Sequence, residues 1–323
     1  MTVSPTPERA RSTDVEPSAP RGHERSGGRV AALGRAVALL EAMRPRQWLK
    51  NVLVLGAPGA AGVLLEPAVL GQVALCFAGF CLAASGGYLL NDVRDAPADR
   101  RHPRKQGRPV ADGRLPAPAA LAAGLALLAG GLLVAGLAGP KVLAVVGAYG
   151  ALTLAYSVWL RRVPVLDLVT VAAFFVVRAV AGGIAAGVPL SQWFLIVASF
   201  GSLFIVSAKR AGEHAALGVE REATRPALMA YSLAYLRNVR TLSAGVAVTA
   251  YCLWAFDPAA STGLRTLVEL SIVPFLVFVL RYAMLVEDDG DRPPEDMVLG
   301  DPGLRAAALV WLVIFAAGVA LGA

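Results

Sequence analysis

The run VLGQVALCFAGFCLAASGGYLL at 69–90 carries no charged residue, and NDVRDAPAD at 91–99 follows it at once. An apolar stretch of about 20 residues is what a helix needs to cross the ~30 Å hydrocarbon core of a bilayer. Ser85, Gly86 and Gly87 near its end would let a second helix approach closely. The switch from an apolar run to three carboxylates puts a polar feature at a membrane face rather than at mid-membrane.

Composition extends that reading to the whole chain. Of 323 residues, 56% are hydrophobic and only 16% are charged, with a mean hydropathy of +0.60. A soluble core could not hide so much apolar surface, whereas lipid solvates it. Further apolar runs predict spans at 48–65, 69–90, 117–138, 141–160, 164–186, 191–209, 238–256, 265–286 and 303–322. The first is interrupted by Lys50, Asn51 and Pro58. The fold class expected is therefore all-α, a polytopic membrane helical bundle of about nine transmembrane helices over residues 41–323.

Residues 1–40 read differently. Pro5, Pro7, Pro17 and Pro20 alternate with Ser, Glu and Arg, and a disordered, basic cytoplasmic tail is expected. No apolar run of a secretory signal precedes the spans. Cys76, Cys81 and Cys252 all lie in apolar runs and read as inert thiols.

Charge is distributed by side. Arg100, Arg101, Arg104, Lys105, Arg108 and Arg114 share one set of loops with Arg161, Arg162, Lys209, Arg210, Arg221, Arg225 and Arg237. The intervening loops are nearly bare. This is the positive-inside pattern, with the N-terminus cytoplasmic and the C-terminus outside, which an odd number of spans requires. It accounts for the formal charge of +7 without nucleic acid. A transporter would more often carry its polar groups at mid-membrane; here they crowd one mouth, which favours an enzyme.

Several groups at that mouth carry chemistry. On a helix Asp92, Asp95 and Asp99 are spaced i, i+3, i+7 and share a face. Such crowded carboxylates suit Mg²⁺ bridging to substrate phosphates; a solvated acidic loop paired to Arg94, Arg100 and Arg101 is the bland alternative. The basic run through Arg101, His102, Arg104, Lys105 and Arg108 would bind phosphate oxygens left uncovered by a metal. Arg44, Arg46, Lys50 and Asn51 open the first span. Tyr156, Ser157 and Arg161 lie before Asp167 and Arg178, each of which needs polar company inside the bundle. Lys209 and Glu213, an i, i+4 pair, flank Arg210. The stretch 287–301, including Glu295 and Asp296, reads as a solvated acidic loop.

The loop N-D-x-x-D-x-x-x-D after the second of nine spans resembles that of the UbiA-type intramembrane prenyltransferase superfamily, from about residue 40 onward. Four stretches are closer to the branch of that superfamily that transfers phosphoribosyl to polyprenyl phosphate. They are RPRQWLKN at 44–51, NDVRDAPADRRHPRK at 91–105, SAKRAGEH at 207–214 and PED at 294–296. The resemblance implies a Mg²⁺-dependent bacterial plasma-membrane enzyme with a cytoplasmic active site. It would move 5-phosphoribosyl from phosphoribosyl pyrophosphate to a polyprenyl (decaprenyl) phosphate, for cell-wall arabinan synthesis. Asp92, Asp95 and Asp99 would hold the metal. Lys50, Arg101, Lys105 and Arg108 would hold phosphates, and Lys209 and Arg210 the ribose 5-phosphate. Asn51, Asn91, Tyr156, Arg161 and Glu213 would complete the substrate site. Membrane lipid is an expected partner, a homo-oligomer is compatible with such a bundle, and an apolar groove between helices would take the prenyl tail. The aromatic prenyltransferases of the superfamily carry a second Asp-rich motif near the sixth span. Lys209, Arg210 and Glu213 stand there instead, which argues against the rival reading of a prenyl-diphosphate donor and an aromatic acceptor.

Overall fold

In a computed structural model of the chain, Met1 and residues 23–101, 105–216, 226–257, 264–289 and 294–322 are described, and among them every regular element is helical. The order is α1 (His23–Met43), a 3₁₀ segment (Pro45–Leu55), α2 (Gly56–Ala60), α3 (Pro67–Asp99), α4 (Ala117–Leu137), α5 (Pro140–Val158) and a 3₁₀ turn (Leu160–Arg162). Then follow α6 (Leu166–Ala186), α7 (Gln192–Ala216), α8 (Pro226–Met229) and α9 (Leu233–Phe256). The chain closes with α10 (Arg265–Leu270), α11 (Ile272–Asp289), α12 (Pro294–Gly300) and α13 (Pro302–Gly322).

Eight helical stretches among the described residues are long and apolar enough to cross a membrane. They match eight of the nine expected spans. The remaining one, 48–65, is built otherwise: eleven residues of 3₁₀ helix run into the five of α2. At about 2.0 Å per residue for 3₁₀ and 1.5 Å for α-helix, the two pieces together reach roughly 30 Å. The segment thus keeps spanning length without being one α-helix.

Its three-residue turn sorts the side chains into stripes. Trp48, Asn51, Val54 and Ala57 face inward, and Asn51, Val54 and Ala57 are buried. Arg46, Leu49 and Val52 line an open groove of about 660 Å³ with Phe77, Asp296 and Leu299. Gln47 and Lys50 form the third stripe and bond to each other.

Small residues set the helix spacing, as α3 promised. A Cβ on Gly86 would lie 2.6 Å from the Gly124 carbonyl oxygen, and one on Gly131 would lie 2.8 Å from that of Gly79. Close backbone approach is how apolar helices gain dispersion energy when lipid is as apolar as they are. Ser85, read as a packing residue beside Gly86, instead accepts the Trp48 indole N–H at 3.0 Å and donates to the Met43 carbonyl at 3.0 Å. One core joins Val54, Phe80, Val146, Tyr149 and Ala181; another joins Phe204, Tyr282, Val279 and Leu304. Leu133, Leu137, Leu309 and Val313 face outward, as a lipid-contacting surface requires.

The expected tail ends earlier than residue 40. The backbone is helical from His23, and Ala38 and Ala42 are each 1% exposed, packed with Leu89, Ala96, Val110 and Leu115. The i, i+4 pair of alanines, with Leu39 and Met43 packed beside it, docks α1 on the foot of α3. Residues 2–22 lie outside those described.

Candidate active site

The acidic motif sits in the last turns of α3, where the helix leaves the apolar core. Asp92 and Asp99 are two turns apart, 2% and 3% exposed, and they converge. Arg108 Nη1 donates to Asp99 Oδ2 at 2.7 Å and to Asp92 Oδ1 at 3.2 Å. Arg44 Nη2 reaches the same Asp92 oxygen at 2.6 Å, with its guanidinium 5.0 Å from the centre of the Tyr88 ring. Arg44 has a left-handed backbone, φ 55° and ψ 62°, at the corner between α1 and the 3₁₀ segment. A non-glycine residue in that region carries strain of order 1–3 kcal/mol, of the kind seen at functional corners.

Asp95 departs from the expected arrangement. At about 100° per residue, i+3 lies about 60° round the helix from i and about 40° from i+7, on the flank of the face that Asp92 and Asp99 share. Its carboxylate faces Arg161, whose Nη1 and Nη2 lie at 3.2 and 3.3 Å. Among the described residues no three acidic, His or Cys groups are gathered as a metal-holding set. The hard oxygens of Asp92 and Asp99 nevertheless converge on one nitrogen, and this donor set suits a divalent cation such as Mg²⁺.

On the facing helices Asn91 accepts a 2.6 Å bond from Ser157 Oγ, and Arg94 donates to the Ser157 carbonyl at 2.5 Å. This pins α3 to α5. One helix on, Asp167 lies in the first turn of α6, where the helix dipole favours a carboxylate. The turn before it is strained, with Val165 at φ 67° and its N–H held by Tyr231 Oη at 2.7 Å. Asp167 takes Arg210 Nε at 2.8 Å, Arg210 Nη2 at 3.0 Å and the Tyr156 hydroxyl at 2.7 Å. Arg210 Nη1 donates to Glu213 at 2.8 Å.

That network corrects one expectation. Arg210 is 2% exposed and its guanidinium is engaged by Asp167, Glu213 and Tyr156, so it stands as a buried strut between α6 and α7 rather than an open phosphate ligand. Glu213 pairs with Arg210 at i, i+3. Lys209 is half-buried beside them on α7.

Other expected site residues divide. Lys50 bonds Gln47, one 3₁₀ turn nearer the Arg44 end. Lys105 is half-buried in the loop that brings Arg108 back to the carboxylates. Arg101 is exposed and bonds the Pro97 carbonyl at 3.3 Å, so it is not brought to Asp92 or Asp99. Asn51 is 1% exposed, its amide bonded to Arg178 and Cys81, and it is therefore not presented to a substrate. Cys76 and Cys81 are buried, with no disulfide. His102, Arg104, Arg221, Arg225 and the Glu295 side chain lie outside those described. Arg44 belongs to the site although only its place in a basic cluster pointed to it. Asp296 contributes by walling the groove beside Arg46.

The fold and this acidic mouth define a class: residues 52–300 match the UbiA prenyltransferase family, and the chain belongs to that family of polytopic membrane transferases. The particular relatives follow. The chain is 42% identical over 285 residues to the decaprenyl-phosphate phosphoribosyltransferase of Corynebacterium glutamicum, covering 86% of this chain and 85% of that one. It is 42% identical over 288 residues to the enzyme of the same name from Mycobacterium tuberculosis, covering 88% and 95%. In fold it resembles a UbiA homolog from Archaeoglobus fulgidus solved with GPP and Mg²⁺. There the TM-score is 0.68 at 17% identity, over 88% of this chain and all of that one.

Proposed function

We propose that the chain transfers 5-phosphoribosyl from phosphoribosyl pyrophosphate to a polyprenyl phosphate, decaprenyl phosphate by its relatives' name, and releases pyrophosphate. The observation that carries the reading is local: Asp92 and Asp99 converge at a mouth where the opposing helix offers Lys209, Arg210 and Glu213 rather than a second set of aspartates. The names of relatives matched over most of the chain support the same donor and acceptor.

The reaction is displacement at an anomeric carbon. Its nucleophile, a phosphate oxygen, is already anionic, so no strong general base is needed. Mg²⁺ held by Asp92 and Asp99, with Asp95 within the same turns, would neutralise charge growing on the leaving diphosphate. Arg44 and Arg108 lie on the same carboxylates, and their guanidinia would meet diphosphate oxygens there. Lys50 and Lys105 would add phosphate donors, and Lys209 would hold the ribose 5-phosphate. Arg210 keeps Asp167 and Tyr156 in place beneath it. The groove is lined mostly by apolar side chains, Leu49, Val52, Phe77 and Leu299 among them, with Arg46 and Asp296 also in its wall, and would take the prenyl tail. The orientation expected from the loop charges puts this mouth in the cytoplasm of a bacterial cell.

A paired assay tests the reading. Detergent-solubilised protein is given polyprenyl phosphate with labelled phosphoribosyl pyrophosphate, or a prenyl diphosphate with an aromatic acid. Label should enter lipid only in the first mixture. A product only in the second would establish the aromatic prenyltransferase instead, and none in either would point to a carrier or scaffold.

A further inference from the structure

Arg178 is a buried cation that this chemistry does not use. It is 4% exposed and lies about 16 Å along α6 from Asp167 at 1.5 Å per residue, near the middle of a ~30 Å hydrocarbon layer. Its recorded partners are all neutral. Nε donates to Asn51 Oδ1 at 2.6 Å, Nη2 to the Tyr149 hydroxyl at 3.0 Å, and Nη1 to the Phe174 carbonyl. The guanidinium carbon lies 4.7 Å from the Tyr149 ring centre and 5.8 Å from that of Phe80. No salt bridge to it is found among the described residues.

A charge at that depth without a carboxylate is costly, and an apolar side chain could fill the same space. What an apolar residue could not do is grip the Asn51 amide. Four residues further along α6, Gly182 lies flush against Val54, which is one 3₁₀ turn beyond Asn51. Two attachments one turn apart on each element set both the rotation and the height of the 3₁₀ segment against α6. That constraint matters because 3₁₀ runs beyond three or four residues are uncommon and do not persist by themselves. Relaxation toward an α-helix would lower the turn per residue from about 120° to 100° and swing Lys50 away from the Gln47 stripe.

We infer that Arg178 is a positioning residue: through Asn51 it holds the Pro45–Leu55 segment in its 3₁₀ register and so fixes where Lys50 presents its ammonium group. This rests on the reading that Lys50 meets a phosphate of the donor. A merely structural role would lower the amount of folded protein without selecting one substrate's KM.

The test uses the full chain in lipid nanodiscs, with phosphoribosyl pyrophosphate varied at saturating decaprenyl phosphate. Lys50→Gln and Arg178→Gln are each expected to raise the donor KM about tenfold, the size of one weakened charged contact. The double variant should be no worse than Lys50→Gln alone, because residues acting through one contact are non-additive. Asn51→Leu, which removes the acceptor but keeps the cation, should reproduce Arg178→Gln and decides by the same criterion if Arg178→Gln does not fold. A donor KM unchanged by Arg178→Gln while Lys50→Gln raises it would overturn the inference, as would a double variant at the product of the two single effects. If Lys50→Gln itself leaves KM unchanged, the phosphate role of Lys50 falls and the inference with it. The transfer reaction is judged separately, by whether the unaltered protein labels its lipid.

Discussion

Gly182 on α6 leaves no room for a Cβ against Val54: one built there would overlap the Val54 carbonyl oxygen and lie 3.0 Å from its Cα. The obstacle is backbone of a buried segment, which has no rotamer to give. The position of the 3₁₀ segment therefore depends on a missing methyl group.

Gly182→Ala should destabilise the fold by about 1–3 kcal/mol, the usual range for overpacking, or displace the segment and with it the site. A lowered unfolding temperature in a detergent melt, with reduced turnover at permissive temperature, is the expected result. Gly150→Ala, where nothing lies within 4 Å, serves as the silent control.

Asp92→Asn removes the charge shared by Arg44 and Arg108 and leaves two guanidinia facing a neutral amide. Turnover should fall by roughly 10²–10³-fold, as when one electrostatic contact to developing charge is lost, while the protein still inserts. Activity lost to a chelator and restored by Mg²⁺ in the unaltered protein should respond weakly to Mg²⁺ in this variant. Unchanged turnover would remove Asp92 from the mechanism.

Lys209 and Arg210 are neighbours in sequence with different predicted phenotypes. Lys209→Ala should raise the KM for the phosphoribosyl donor with a near-normal unfolding temperature. Arg210→Ala removes the buried cation that Asp167 and Glu213 share and should cost about 3–5 kcal/mol of stability, visible as a collapsed thermal melt. Equal behaviour of the two variants would contradict the division between ligand and strut.

Arg101 and Arg108 likewise separate. Arg108→Ala should lower turnover strongly because Asp92 and Asp99 lose the group on which they converge. Arg101→Ala, an exposed residue bonded to its own helix, should change the donor KM by less than about threefold, the scale of exposed charge interactions.

Much of this was legible in the sequence. Apolar runs of spanning length predicted eight of the helices because, in lipid, the backbone must satisfy its own hydrogen bonds and length alone selects a span. The acidic motif, the basic return through Arg108, and the need of Asp167 and Arg178 for polar company could all be read from residue type and place. The helix at 23–43 was missed because the positions it buries most deeply are Ala38 and Ala42, whose signal is weak until α3 supplies a surface to dock on.

The amino-acid order alone thus determined a membrane bundle with an acidic and basic mouth, since the hydrophobic effect and carboxylate chemistry depend on which residues are present. Which carboxylates converge was decided only by the fold: Asp92 with Asp99 on Arg108, and Asp95 apart on Arg161. The same holds for Arg210, ligand-like in sequence and a strut in space, and for the first span, whose 3₁₀ form depends on Gly182 and Arg178 more than a hundred residues away. Long-range ion pairs and backbone clearance join residues that no local pattern connects.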